Sequence, residues 1–167
     1  MVMEDLTVEK SAKTIIALGD GLRLAVEVES VSNQGLRLRS LDIQRPRTSK
    51  FFRQKEWVIG QMRDLARNVH LWNEPLEVVD YDPIRELGLL RSNPPAKGDW
   101  KEYFELSLDQ GSHLVLRRFA YDRGQNRKVE IGFGLTREDL MELVDELGRT
   151  LRDSPERVEE EGAVRAA

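Results

Sequence analysis

The chain has 167 residues, enough for one domain or for two small halves sharing a core, and its 40% hydrophobic and 34% charged content suits a globular protein with a heavily charged surface. It holds no Cys and only two His, which excludes disulfides, thiolate metal sites, cysteine nucleophiles and all-histidine metal sites. Its apolar runs fall far short of the roughly 20 residues a membrane span needs, and the acidic residues 1–10 lack the apolar centre of a secretory signal, so a cytoplasmic setting and no membrane are expected.

The net charge of −4 conceals alternating blocks. Residues 37–68 carry nine basic and three acidic side chains, and residues 113–136 carry five and two. The three remaining stretches are acidic. Local fields, more than the total, decide where an anion docks.

Period-two alternation marks strands in the first half. Residues 13–18 are apolar and β-branched, and Gly19-Asp20-Gly21 turns the chain. Residues 22–31 alternate Leu22, Leu24, Val26 and Val28 against Arg23, Glu27 and Glu29. Residues 32–35 read as a hairpin turn in which Gly35 supplies a positive φ. In residues 36–43, Leu36 and Leu38 fall out of phase with Leu41 and Ile43, which predicts a bulge near Ser40. A helix follows, from near 49–54 to near 70, with Val58, Met62, Leu65 and Val69 as its apolar stripe. Gly60 inside it costs about 1 kcal/mol against Ala, so a packing reason is expected there.

The middle segment, 73–100, reads as a strand over 76–81, a short helical piece over 84–90, and a Pro/Gly linker over 92–98. The second half then repeats the first: strands over 101–109, 113–122 and 127–133, and a helix capped by Thr136 with Asp139 three residues on. At an offset of 82 residues the two helical stripes superimpose, Val58, Met62, Leu65 and Val69 falling on Leu140, Val144, Leu147 and Leu151. At an offset of 78, Leu36, Leu38, Arg39 and Leu41 fall on Leu114, Leu116, Arg117 and Phe119. The expected architecture is α+β: two antiparallel β-meander–helix repeats, 11–72 and 101–152, packed as an intramolecular pseudo-dimer, with an acidic disordered tail over 153–167.

The second half carries a resemblance. Residues 101–109 (KEYFELSLD), 114–118 (LVLRR), 128–131 (KVEI) and 135–140 (LTREDL) give an aromatic strand, a basic strand and a helix. This cadence resembles the single-stranded nucleic-acid-binding group that includes Pur-alpha, Whirly and positive-cofactor-four. The resemblance implies binding of single-stranded DNA or RNA on an open sheet face, with no cofactor.

Single-strand binders pair a cationic groove with aromatics on which bases stack. Arg37, Arg39, Arg45, Arg47, Lys50 and Arg53 supply one basic cluster, with Phe51 as a candidate stacking ring. Arg117, Arg118, Arg123, Arg127 and Lys128 supply the other. Arg39 and Arg117, at matching repeat positions, are the expected phosphate contacts. The competing reading is a solvated strand face in which Glu27, Glu29 and Glu105 neutralise these arginines across the sheet. No nucleophile pattern surrounds His70 or His113, the lone Gly132-Phe133-Gly134 is a weak signal, and no acidic group has metal-ligand spacing, so no catalytic or metal residue is expected. The alternative function is a non-enzymatic protein-interaction module, docking a protein partner or forming a homodimer through exposed strands or helix faces.

Overall fold

The computed structural model describes residues 12–46, 54–71 and 73–152. An antiparallel meander of β1 (Ala12–Ala17), β2 (Arg23–Val31) and β3 (Leu36–Gln44) leads to helix α1 (Gln54–Asn68). The chain continues through β4 (His70–Leu71), β5 (Glu74–Asp82), β6 (Leu87–Ser92), β7 (Trp100–Asp109), β8 (His113–Asp122), β9 (Arg127–Ile131) and β10 (Phe133–Leu135), and helix α2 (Arg137–Arg152) is the last described element. The fold is α+β, with one antiparallel sheet and two α-helices among the described residues. The strand order is β1-β2-β3-β8-β7-β6-β5-β4, so the early and late strands meet at the β3–β8 seam.

That seam opens into a fork. The second half of β3 pairs with the first half of β8, Ser40 opposite Arg117 and Gln44 opposite His113. Beyond it β8 pairs with β9, and the first half of β3 pairs with β10. The stretch expected as one strand over 127–133 is thus two, broken at Gly132, and it fills the wedge between β3 and β8.

Alternation decides the two faces. Leu24 and Val26 of β2, Leu41 and Ile43 of β3, Leu114 and Leu116 of β8 and Leu106 and Leu108 of β7 are buried in one cluster with both helical stripes. Each such side chain contributes roughly 1.5–3 kcal/mol on burial. The stripe Val58, Met62, Leu65 and Val69 is buried as its spacing predicts, and so are Val144, Leu147 and Leu151, with Leu143. Helix α1 packs on β5 and β6 and touches α2, which packs on β3. Buried Gln61 ties these parts together, donating from Nε2 to the carbonyl oxygens of Gly111 (3.3 Å) and Thr150 (3.2 Å). Helix α2 starts on the expected reciprocal cap: Thr136 Oγ1 accepts from the Asp139 backbone N–H (3.1 Å), and Asp139 Oδ2 accepts from that of Thr136 (3.4 Å).

Three local expectations change. Residues 84–90 are not helical: Asp82 Oδ1 accepts from the backbone N–H groups of Ile84 (2.9 Å) and Arg85 (3.1 Å), closing a β5–β6 hairpin. Gly88, which looked like a helix interruption, sits where any Cβ would collide with Met62 of α1. Gly35 has no positive φ; a Cβ there would strike the Leu135 carbonyl of β10, so close backbone approach selects it. Gly60 has no packing reason, because a Cβ there meets open space.

The bulge near Ser40 is present, and it has a twin. Glu27 pairs with Ser40 and Val28 with Leu38, which leaves Arg39 extra on β3. Val28 and Ser30 pair with Leu38 and Arg37, which leaves Glu29 extra on β2. Leu38 and Leu41 are both buried, so Arg39 and Ser40 between them point to the other face.

Candidate nucleic-acid interface

Both described helices lie on one face of the sheet, and no described element covers the other, the open face. Across that open face runs a register row from β6 to β1: Arg91, Glu105, Arg117, Ser40, Glu27 and Lys13. Beside it Tyr103 of β7 lies opposite Phe119 of β8, ring centroids 6.0 Å apart and tilted by 33°. Period two dictates this set from β6 to β2, since Arg91, Glu105, Arg117, Ser40 and Glu27 each have a buried neighbour in the chain, whereas Lys13 lies on the exposed edge strand β1.

Two carboxylates organise the cations. Glu105 Oε2 accepts from Arg91 Nε at 3.0 Å and from Lys128 Nζ at 3.1 Å. Lys128 Nζ also stands 4.0 Å over the Phe119 ring centre, and the Arg91 guanidinium 5.6 Å over that of Tyr103. On the far side of the seam Glu29 accepts from Arg37 Nε (3.1 Å) and Arg39 Nε (3.2 Å) through separate oxygens. The paired bulges bring these three side chains together. Arg37 further donates from Nη2 to the Gly132 carbonyl at 3.2 Å, and a Cβ at Gly132 would meet the Glu29 carboxylate. Each glutamate thus holds two cations and leaves one net positive charge.

Arg117 stands between these clusters. It is exposed and makes no side-chain hydrogen bond or ion pair among the described residues. Its direct partner Ser40 follows Arg39 in the chain, so Arg39 and Arg117 stand on neighbouring strands one residue out of register, with Arg39 turned to Glu29.

The other candidates are placed differently. Arg118 points to the helix-covered face, because adjacent strand residues alternate. Its guanidinium lies 4.4 Å over the ring centre of Phe104, and Nη2 is 3.4 Å from Glu74 Oε1 and 3.5 Å from Glu102 Oε2. Arg45 leaves the end of β3 towards α1, with its guanidinium 5.1 Å over the Trp57 ring. Arg127 pairs with Asp122, five residues and roughly 17 Å along β8 from Arg117, and Arg123 lies in the same turn, where Asp99 and Asp122 flank Gly124. Arg47, Lys50, Phe51 and Arg53 lie outside the described residues, as does the tail 153–167.

Arg91 belongs to the interface and was missed from sequence, because the run holding it read as helix and linker. Alternation over 87–92, with Gly88, Leu90 and Ser92 inward, is the signal that points it outward. His113 Nε2 lies 3.2 Å from Asp42 Oδ1, and His70 is exposed in β4. Among the described residues no group of three or more His, Asp or Glu could hold a metal ion, and no helix is long and apolar enough to cross a membrane. No protein-family model, curated protein or solved structure matches this chain.

Proposed function

We propose that the open face binds single-stranded DNA or RNA without catalysing a reaction. The observation that carries this reading is the line Arg91/Lys128, Arg117, Arg39/Arg37, which crosses four neighbouring strands beside the Tyr103–Phe119 pair. Strands lie about 4.8 Å apart, so a chain of phosphates running across them meets a cation every one to two strands. Phe119 is half-buried and is the ring that an unstacked base could reach, whereas Tyr103 is 9% exposed and supports it from beneath Arg91 and Lys128. Lys128 shields Phe119; a phosphate that draws the ammonium aside frees the ring for stacking at about 1–3 kcal/mol per base. Glu29 and Glu105 hold the cations in place and temper their charge, so binding should be moderate and strongly salt-dependent.

We also infer that the architecture is a duplication packed as an intramolecular pseudo-dimer. What supports it is that the meander β1-β2-β3 precedes α1 and that β7 and β8, with β9 and β10 after them, precede α2, the two meanders meeting at the β3–β8 seam with Arg39 and Arg117 at the matching offset of 78. The setting we infer is cytoplasmic.

The test is fluorescence anisotropy with labelled oligo-dT and oligo-U over a salt series. Neutralising three or four phosphates gives a log–log slope of about −2 to −3, and Arg39→Ala with Arg117→Ala flattens it. A salt-independent signal, or none, removes the reading.

A second reading, a protein-interaction module, is favoured by one edge. Among the described residues β1 pairs only with β2, and Ile15 and Ile16 are 61% and 45% exposed on it. The opposite edge is blunted by the bulge between Val78 and Asp80 and by Glu77. A partner strand adding to β1 would lose affinity on Ile15→Lys.

A further inference from the structure

We infer that two copies of this chain join through β1, antiparallel and two-fold symmetric about Ile15. The inference rests on β1 being a docking edge and names its partner. Every residue from Lys13 to Ala17 is exposed, and Ile15 and Ile16, at 61% and 45%, lie on opposite faces of the strand. Among the described residues no strand pairs with the outer side of β1. An apolar strand with one side unpaired is a template for another strand.

Hydrogen-bond parity selects the second copy. The Leu18 backbone N–H donates to the Leu22 carbonyl (2.8 Å), so Leu18 is turned towards β2. Bonding alternates along an antiparallel ladder. Ile16 and Thr14, opposite Leu24 and Val26, are therefore also bonded to β2, and the N–H and C=O groups of Lys13, Ile15 and Ala17 point outward. This outward set is its own complement. A two-fold axis at Ile15 sets that residue against Ile15 of the second copy, and each Lys13 against the other copy's Ala17. Each of these pairs exchanges two N–H···O bonds, and no outward group is left over.

Charge permits the same register. Lys13 is the one charged side chain of β1, and the axis at Ile15 keeps the two lysines four residues apart along the strands. That is about 14 Å, beyond the Debye length of about 8 Å at physiological salt. Each Lys13 also keeps Glu27 opposite it on its own β2. The β5 edge is no substitute, because the bulge between Val78 and Asp80 breaks its outward row. A β1–β1 contact is isologous and closes at two copies. Residues directly opposite share a face, so the two open faces lie on the same side of one continuous sheet. One strand buries less than the roughly 1,200 Å² of a standard interface, so the dimer is weak and dissociates on dilution.

The chain has no Cys, so single-Cys variants of the full chain report the contact directly. Under mild oxidation Ile15→Cys should give a disulfide-linked dimer, because a hydrogen-bonded pair holds its Cα atoms about 5.5 Å apart. Ala17→Cys, exposed on the same strand but about 14 Å from its counterpart, should not. In sedimentation the unaltered chain should dimerise as its concentration rises. Ile15→Lys, which opposes two like charges at the axis, should weaken this about tenfold with melting unchanged. If that variant melts early, the two Cys variants decide. Equal cross-linking of the two, or a monomer at every concentration, overturns the proposal. Amide exchange of Lys13, Ile15 and Ala17 then tells which reading failed. Fast exchange in a monomer leaves β1 free for a different protein, whereas protection in a monomer means that the chain covers its own edge, and the docking edge falls as well.

Discussion

Arg117 and Arg118 are neighbours on one strand and face two different environments. Arg118 is 17% exposed, lies over Phe104 and is held by Glu74 and Glu102 at the margin of the core. Arg117 is exposed between two glutamate-centred cation pairs and makes no ion pair among the described residues. Identical chemistry serves structure on one face and is free for a ligand on the other, and only the pleat of β8 separates them. A run of basic residues in a strand therefore counts at half its apparent strength for binding.

The sharpest way to break this comparison is to truncate each neighbour in turn. Leu116→Ala, beneath the helices, should cost about 3 kcal/mol in denaturant unfolding. Arg118→Ala should cost about 2 kcal/mol by stranding Glu74, with oligonucleotide affinity unchanged. Arg117→Ala should change stability by under about 0.5 kcal/mol, yet weaken oligonucleotide binding several-fold. A variant pair with these effects exchanged would invert the assignment of the faces.

Glu29→Gln sharpens the open-face side of the comparison. It removes the charge that occupies Arg37 and Arg39, so oligonucleotide affinity at low salt should rise a few-fold and its salt slope should steepen. An unchanged slope would place these arginines outside the binding surface. On the covered side, Gly60→Ala should raise stability by up to about 1 kcal/mol, since its Cβ meets open space and a helical glycine is removed.

The smallest expected effect concerns the β5–β6 hairpin. The backbone N–H groups of Arg85 and Ile84 hold the Asp82 carboxyl below its usual range. Its folded pKa is depressed, so its contribution is present above the unfolded value near 3.8 and is lost as pH falls through the folded value. Asp82→Asn should therefore narrow the stability difference between neutral and acid pH, read by melting across the range 2–6.

What was legible in the sequence was local. The period-two strands, the phase slip at Ser40, the stripe Val58 to Val69 and the Thr136–Asp139 cap all depend on residues a few positions apart. What was not legible depended on distant partners. The fork at Gly132 exists because β3 and β8, some 75 residues apart, diverge after pairing. Arg91 was hidden because its strand is set by β5 and β7 on either side, and its own sequence is ambiguous. The split of Arg117 from Arg118 was written in the alternation, but only a known buried partner, Phe104, decides which of the two faces inward. The competing expectation that acids neutralise the basic face holds in part: Glu29 and Glu105 engage four cations, whereas Arg117 is left to itself.

The most direct test of the open-face account is a backbone amide titration of isotope-labelled protein with oligo-dT followed by NMR. Saturable shifts should cluster on Arg37, Arg39, Arg91, Arg117, Phe119 and Lys128, and residues of α1, of α2 and around Arg118 should stay still. Shifts confined to the helices, or a spectrum that does not change, would contradict it.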